Sequence, residues 1–347
     1  MSNVPTHYDS VEELYSSVVD SPKLVLVAPR IRRSYPLTDY LYALYRDILE
    51  RPTGSNKLTI LDLSPIGHFR MIYHALTRRE TVILHYHWFE FQGLKQLLAL
   101  PYKLLCISIF SFLNTRIVWT VHNLQPHDRK YLRLHLILHQ WLAKKADKLH
   151  LHSPSLLDRS SDYLKIASNS AKWGILEHPE FPSKQIPKSE ALAHINSLFK
   201  LNIPSNALLL LLFGNISQYK GIDSFINLSK SIPTSLHVLI AGPIKIGQQH
   251  THQKILDAIG SDSDRYHYHP YFIEEKHYSY LLSSADYCVF NYKDILSSGG
   301  AAMAKSYNKA IIAPRIGMFR DLEDKPNVLL FSSEHELKSI LKRINNP

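Results

Sequence analysis

The turn around Lys220 combines residue types that bind phosphate. In the segment LLFGNISQYKGIDSF, Gly214 and Asn215 follow an apolar run, and Lys220 stands directly before a helical pattern. An ammonium group and the unpaired N–H groups at a helix start can meet one diphosphate together. The alternative is a solvated lysine in an ordinary turn. Neither a Walker A pattern nor GxGxxG is present, which disfavours ATPases and dinucleotide-dependent enzymes.

A second turn, in NYKDILSSGGAAMAKS, has the same potential. Ser297 and Ser298 are of a type that caps helices, and Gly299 and Gly300 let a ligand approach the backbone closely. The N–H groups and dipole of the following helix would then face an anion. The alternative is a plain helix cap whose glycines serve packing.

An aromatic pair, Tyr271 and Phe272, ends the run YHYHPYF between these two turns. Flat side chains at a strand end can border a nucleobase. A hydrophobic staple at a helix entrance is the alternative.

Polar and aromatic side chains follow two apolar runs in the first half of the sequence. The segments HYHWFEF and VHNLQPHDRK supply His85, His87, Trp88, Glu90, His122, Asn123, His127 and Asp128. Histidines and carboxylates at strand ends are candidates for a general base. They could also bind zinc, but no HExxH spacing occurs and we expect no metal.

Short apolar runs alternate with helical patterns along the whole chain, and they place these residues. Runs that are apolar on both faces indicate buried parallel sheets, so we expect an α/β fold. The runs cover residues 23–29, 58–63, 81–87, 116–122, 147–153, 173–179, 207–214, 236–242, 266–272, 286–292, 310–314 and 327–331.

The length of 347 residues fits two domains. Residues 178–207 carry four prolines and no strand-like run, so we expect a hinge region at 181–206 with a short helix near 189–201. An N-terminal domain (1–180) and a C-terminal domain (207–347) would be doubly wound and face each other across a cleft. Ligands bind outside the carboxyl ends of such strands.

The net charge of +10 favours an anionic partner: nucleic acid, an anionic membrane or a phosphorylated substrate. The two cysteines, Cys106 and Cys288, lie in apolar runs and suit reduced core residues. The first twenty residues include acids and lack a long apolar stretch, so we expect no signal peptide and a cytoplasmic protein.

The motifs VWTVHNLQPHD, LLFGNISQYKGIDSF, HPYF…ADYCVFNY and ILSSGGAAMAKSYNKAIIAPRIG resemble the GT-B glycosyltransferases. The sequence looks most similar to bacterial enzymes, including mannosyltransferase-like ones, that build exopolysaccharide or lipid-linked repeat units. The resemblance implies two Rossmann-like domains and transfer of a sugar from a GDP- or UDP-sugar to a glycan or lipid-linked acceptor. No cofactor is implied, because the nucleotide-sugar is a co-substrate.

The resemblance also implies roles for individual residues. Lys220 and the backbone at Ser298, Gly299 and Gly300 would contact the donor diphosphate. Tyr271 and Phe272 would border the base, and His122 would approach the donor sugar or the reacting centre.

One departure from the family pattern concerns the mechanism. Retaining members carry two glutamates separated by seven residues, and Ile295 and Met303 occupy those positions here. We therefore expect an inverting transfer with a base from the N-terminal domain: Asp128 first, then Glu90, with His122 as the third candidate. No DxD-type metal pair stands at the end of a predicted strand, so Lys220 and helix N-termini would stabilise the leaving diphosphate.

Basic residues of the N-terminal half suggest a phosphorylated acceptor. Arg30, Arg32 and Arg33 follow the first run, His87 ends the third run and Trp88 follows it, and Arg78 and Arg79 precede the apolar, basic stretch 93–112. A polyprenyl-diphosphate-linked acceptor and peripheral attachment to the cytoplasmic face of the plasma membrane would explain them. Surface charge and an ordinary core helix are the alternative.

Two other functions stay open. A basic, tyrosine-rich chain could bind nucleic acid, although no nucleic-acid motif is present and we expect no such partner. The missing carboxylates also allow a catalytically inactive GT-B-shaped partner subunit.

Overall fold

A computed structural model describes residues 5–52, 58–91, 94–126, 131–232 and 235–345. The chain divides into two compact units, Met1–Pro179 and Glu180–Pro347.

The first unit has a parallel sheet whose strands match the predicted runs, plus one short edge strand. The strands are β1 (Thr6–His7), β2 (Leu24–Ala28), β3 (Thr59–Asp62), β4 (Val82–Tyr86), β5 (Thr115–Thr120), β6 (Lys148–Leu151) and β7 (Trp173–Ile175). The helices are α1 (Val11–Ser16), α2 (Tyr40–Leu49), α3 (Phe69–Thr77), α4 (Leu94–Leu98), α5 (Leu100–Ser111), α6 (Leu132–Lys145) and α7 (Leu157–Leu164).

The strand order of this sheet is β1-β7-β6-β5-β4-β2-β3. The chain passes from β2 outward to β3 and then returns to β4 on the other side of β2. Ligands of open α/β sheets bind where the order reverses in this way. The reversal places the residues that follow β2 and those that follow β4 beside each other.

The second unit has a second parallel sheet, again on the predicted runs. The strands are β8 (Leu209–Phe213), β9 (His237–Ala241), β10 (Tyr266–His269), β11 (Tyr287–Val289), β12 (Ala310–Pro314) and β13 (Val328–Phe331). The helices are α8 (Lys188–Phe199), α9 (Ile222–Lys230), α10 (Gln249–Ile259), α11 (Tyr278–Ser284), α12 (Gly299–Ser306) and α13 (Glu334–Asn345). The order is β10-β9-β8-β11-β12-β13, so it reverses between β8 and β11.

Both sheets are buried because their central strands are apolar on both faces. Every residue of β2, β4 and β8 is buried. In the second sheet, Leu211 of β8 pairs with Leu239 on one side and Cys288 on the other. The predicted α/β fold is therefore confirmed, and both cysteines are buried free thiols, as expected.

The segment that follows Pro179 makes its hydrogen bonds with the second unit. The N–H of Phe181 donates to Ser306 (2.9 Å), and the Nζ of Lys188 donates to Asp286 (2.6 Å). The helix that we placed near residues 189–201 spans Lys188–Phe199.

The apolar stretch 93–112 forms two helices, α4 and α5, with Ala99 between them. Cys106, Ile107 and Phe110 of α5 are buried, whereas Leu105 and Ile109 are exposed. Within the described ranges, no helix combines the length and the apolarity that a bilayer crossing requires.

Candidate functional site

The two phosphate-type turns lie side by side in the second unit. One turn follows β8 and the other follows β11, and these strands are neighbours in the sheet, with Leu211 opposite Cys288. Lys220 precedes α9 and Ser298 precedes α12. Two helix N-termini and a lysine therefore meet at the point where the strand order reverses.

The Lys220 side chain reaches back to the end of β8. Lys220 is 7% exposed, and its Nζ donates a hydrogen bond to the carbonyl of Phe213 (2.7 Å). Gly214 has φ +82, and a Cβ at this position would lie 3.2 Å from Nζ. Burial lowers the pKa of Lys220 to about 7. A nearby anion would stabilise the protonated form and raise this pKa again.

Ser298 is the N-cap of α12, as the sequence predicted. Its hydroxyl accepts a hydrogen bond from the N–H of Ala301 (3.2 Å). Gly299 is exposed and Ser297 is half-buried. A Cβ at Gly300 would approach Phe290 to 3.3 Å, so this glycine permits close packing at the helix start. The start of α12, where Gly299 is exposed and Gly300 is half-buried, can present N–H groups to an anion.

Two residues that the sequence did not single out, Asn291 and Tyr292, join the turns. The Asn291 Nδ2 donates to the Gly221 carbonyl (2.8 Å) and to Ser224 (3.1 Å). Gly221 has φ +59, and a Cβ there would lie 2.5 Å from the Asn291 carbonyl oxygen.

The Tyr292 ring centroid lies 6.0 Å from the Nζ of Lys220. Burial raises the pKa of Tyr292 above its usual range, and its hydrogen bond to Ser298 opposes this rise. Tyr292 therefore contacts both turns. Its position after an apolar strand was visible in the sequence, but no motif marked it.

The other predicted donor-site residues lie farther along the same sheet edge or at the surface. Tyr271 and Phe272 follow β10 and are 67% and 63% exposed. β9 separates β10 from β8, so at a strand spacing of about 4.8 Å the strand that precedes the aromatic pair lies about 10 Å from the strand that precedes the Lys220 turn. Asn215 is exposed in the turn after β8. Ile295 and Met303 are both buried apolar side chains.

In the first unit, the basic and aromatic candidates flank the strand reversal between β2 and β4. Arg30, Arg32 and Arg33 follow β2 and are exposed. The Nη2 of Arg33 lies 3.8 Å from the carboxylate of Asp62. After β4, the indole of Trp88, 37% exposed, stacks on the imidazole of His122 with ring centroids 4.3 Å apart.

A buried histidine cluster lies behind Trp88. It consists of His85, His87, His122, His150 and His152, at the ends of β4, β5 and β6. Burial is the largest cause that lowers the pKa of every member, so these imidazoles are neutral at pH 7. Over the described part of the chain, no three His, Cys, Asp or Glu side chains are arranged as metal ligands.

His87 lies inside this cluster rather than at the surface. Its Nε2 hydrogen-bonds to the hydroxyl of Tyr45 (2.8 Å), and its Nδ1 lies 3.4 Å from the Nε2 of His122. The alternating His-Leu-His at residues 150–152, where β6 ends, was the available sequence signal for His150 and His152. Tyr15 and Tyr45 come from α1 and α2 and carry no motif.

The three candidate bases have different positions. Asp128, with His127, lies outside the described residues. Glu90 is half-buried and lies beyond the end of β4. Burial raises the pKa of Tyr163 to about 12, and the nearby charge of Glu90 contributes to this rise. His122 is 7% exposed and is the described candidate that contacts Trp88.

Comparison with known proteins supports the fold. No family model matches the sequence, and no curated protein is significantly similar to it. Solved structures are similar in three dimensions. HepE of Anabaena, in complex with UDP and glucose, has a TM-score of 0.65 at 15% identity, covering 94% of this chain and 90% of HepE. Sucrose-phosphate synthase from Thermosynechococcus elongatus has a TM-score of 0.64 at 14% identity, with 93% and 89% covered.

The catalytic domain of starch synthase IV from Arabidopsis thaliana, bound to ADP and acarbose, has a TM-score of 0.62 at 12% identity, with 94% and 92% covered. The similarity spans nearly the whole chain in each case. The chain therefore has the GT-B fold, as the motifs predicted.

Proposed function

We propose that this chain is a glycosyltransferase that moves a sugar from a nucleoside-diphosphate sugar to a glycan or lipid-linked acceptor. The observation that carries this proposal is that buried Lys220 and the N-terminus of α12, where Gly299 is exposed, follow the two neighbouring strands at which the order of the second sheet reverses. The structurally similar HepE and starch synthase IV were determined with UDP and ADP, which is consistent with a diphosphate at such a site.

The second unit would bind the donor and stabilise the leaving group. Lys220 and the N–H groups of Gly299 and Gly300 would neutralise charge on the diphosphate as the bond from the anomeric carbon to the phosphate oxygen breaks. Tyr271 and Phe272 would border the base of a GDP- or UDP-sugar. This arrangement requires no metal, because a lysine and helix N–H groups already supply positive potential.

An inverting mechanism fits the buried Ile295 and Met303 at the positions of the retaining glutamates. One base of the first unit would take the proton of the acceptor hydroxyl while its oxygen attacks the anomeric carbon. The nucleoside diphosphate would leave from the opposite face. Asp128 is the first candidate for this base, followed by Glu90 and His122.

A thermal-shift screen tests the donor site. UDP or GDP at 100 times its dissociation constant is expected to stabilise the native state by about 2.7 kcal/mol, whereas uridine and guanosine should have little effect. The measurement is the melting temperature with each nucleoside, diphosphate and diphosphate sugar. If no diphosphate raises the melting temperature, the proposed donor site is wrong.

Two other outcomes would favour the alternative functions. Nucleotide binding without any transfer or hydrolysis would favour the inactive partner subunit. Salt-dependent retention on nucleic acid without nucleotide binding would favour the nucleic-acid-binding protein.

For the acceptor, we propose a polyprenyl-diphosphate-linked glycan and peripheral attachment to the cytoplasmic leaflet, in exopolysaccharide or other surface-glycan synthesis. A two-helix surface of the first unit supports this. On α3, Phe69, Tyr73 and Leu76 are exposed at helical spacing. On α5 and its C-cap, Leu105, Ile109 and Phe112 form a second exposed stripe.

Hydrogen bonds connect the start of α3 to α5, and we propose that the two stripes together form one apolar surface. The hydroxyl of Tyr102 on α5 donates to the Ile66 carbonyl (2.7 Å) and accepts from the N–H of Phe69 (3.0 Å). Arg70, Arg78 and Arg79 are exposed on or beside α3, and neither helix sequence contains an Asp or Glu. An apolar surface with basic neighbours matches an anionic bilayer.

Vesicle sedimentation tests this attachment. The double substitution Phe69→Asp and Phe112→Asp is expected to weaken partition onto phosphatidylglycerol vesicles at least about tenfold, because burying one Phe contributes about 1.5–3 kcal/mol. Ile246→Asp is the matched control, since Ile246 is 97% exposed in the second unit. Equal binding by the double variant, or no binding of the wild type at low salt, would contradict the proposal.

A further inference from the structure

A chain of hydrogen bonds runs through the interior of the first unit and ends at His122. It starts at the backbone carbonyl of Leu176 and passes through His150, Thr120, His85, two tyrosine hydroxyls and His87. Each of these side chains is buried. Because each group must either donate or accept at each contact, the chain restricts where the protons lie.

The Leu176 carbonyl fixes the first half of this chain. A carbonyl oxygen only accepts, so His150, whose Nε2 lies 2.8 Å away, carries its proton on Nε2. Its Nδ1 then holds a lone pair and accepts from the hydroxyl of Thr120 (2.8 Å). The Thr120 oxygen in turn accepts from the Nε2 of His85 (2.8 Å), which leaves a lone pair on the His85 Nδ1.

The second half is decided by the number of protons available around the two tyrosines. The His85 Nδ1 lies 2.7 Å from the Tyr15 hydroxyl and 2.8 Å from the Tyr45 hydroxyl. The two hydroxyls are 2.9 Å apart, and the Tyr45 hydroxyl lies 2.8 Å from the Nε2 of His87. Two hydroxyl protons can bridge only two of these short contacts.

Three of the four short contacts can be hydrogen bonds only when His87 supplies a third proton, by donating from Nε2 to the Tyr45 oxygen. In the opposite arrangement, Tyr45 donates to His87, and two contacts under 3 Å are left with facing lone pairs. Buried polar atoms that face each other without a proton lose a hydrogen bond and repel. The favoured arrangement leaves the lone pair of His87 on Nδ1, which lies 3.4 Å from the Nε2 of His122.

We infer that His122 carries its proton on Nε2 and its lone pair on Nδ1, and that Tyr45 is the positioning residue that fixes this tautomer. Any proton that His122 accepts then enters at Nδ1. The tautomer itself depends only on the buried chain of hydrogen bonds. Only its use on an acceptor hydroxyl rests on the proposed function.

Nitrogen NMR of the imidazole rings tests the inference on the full chain. With ¹⁵N-labelled histidine at pH 7.5, long-range ¹H–¹⁵N correlations distinguish a protonated from an unprotonated ring nitrogen, and loss of signals in His122→Asn assigns His122. We expect a protonated Nε2 in the wild type. In Tyr45→Phe, a proton on the His87 Nε2 has no acceptor, so His87 should carry its proton on Nδ1 and donate to the Nε2 of His122. His122 should therefore move mainly to the Nδ1-protonated form.

Tyr15→Phe is the matched control, because Tyr15 and Tyr45 are both fully buried. Without the Tyr15 hydroxyl, Tyr45 still donates to His85 and still accepts from His87, so the His122 tautomer should stay as in the wild type. An Nδ1-protonated His122 in the wild type overturns the inference without any variant having to fold. The same tautomer in both Phe variants overturns the role of Tyr45. No nucleotide or sugar enters this experiment, so it succeeds or fails independently of the transfer activity.

Discussion

Lys220→Met is expected to weaken UDP or GDP binding by about 10- to 150-fold, because a hydrogen bond to a charged group contributes about 1.5–3 kcal/mol. Methionine keeps a similar apolar stem in the buried position next to Phe213 and removes the charge. The measurement is the dissociation constant by calorimetry, with the melting temperature of the free protein as a check on folding.

The pH dependence gives the Lys220 prediction a second readout. Burial lowers the pKa of Lys220 to about 7, so the free site loses its charge as the pH rises above 7. The diphosphate keeps a constant charge over this range, because its last pKa is about 6. Wild-type affinity should therefore fall between pH 7 and pH 9, while the affinity of Lys220→Met should stay flat.

The control for this experiment is Lys325→Met, which removes an exposed lysine from the same unit. It should leave both the affinity and its pH profile unchanged. If Lys220→Met binds nucleotide as the wild type does, Lys220 contributes only its hydrogen bond to the Phe213 carbonyl, and the diphosphate must bind at another site.

The strands were predictable because their signal is local. Each apolar run of the sequence became a parallel strand, and the central strands β2, β4 and β8 are buried throughout because residues that are apolar on both faces require cover on both sides. β1 was missed, because Thr6–His7 is a two-residue exposed edge strand without periodicity. The predicted membrane-surface helix became α4 and α5, and α3, which completes the apolar surface, carried no separate signal.

The candidate site was predictable where one segment carries the chemistry. The turns at Lys220 and Ser298 could be read as phosphate turns from residue types alone, but their adjacency depends on the pairing of β8 with β11. Asn291 and Tyr292 follow β11 and reach the turn after β8 only because these two strands pair, so no local sequence pattern marks them. The same holds for Tyr45, whose hydroxyl reaches His87 from a helix 42 positions earlier in the sequence.

Asp128→Asn is expected to lower the turnover number of sugar transfer by about 10²- to 10⁴-fold, the usual contribution of a general base. Asn keeps the size of the side chain and removes its ability to take a proton. Nucleotide affinity should stay within about twofold of the wild type, because the diphosphate contacts that we propose are made by Lys220 and α12. Single-turnover kinetics with a nucleotide-sugar and acceptor would measure the chemical step.

Glu90→Gln is the matched variant, since it makes the same carboxylate-to-amide change at the other carboxylate candidate. Glu90 lies near Tyr163 of α7, and its replacement should reduce turnover less than Asp128→Asn does. A larger loss in Glu90→Gln would make Glu90 the base. If both variants transfer sugar at the wild-type rate, neither of the two carboxylate candidates acts as the base. The proton would then pass to His122, whose Nδ1 is the nitrogen left unprotonated by the hydrogen-bond chain through Tyr45 and His87.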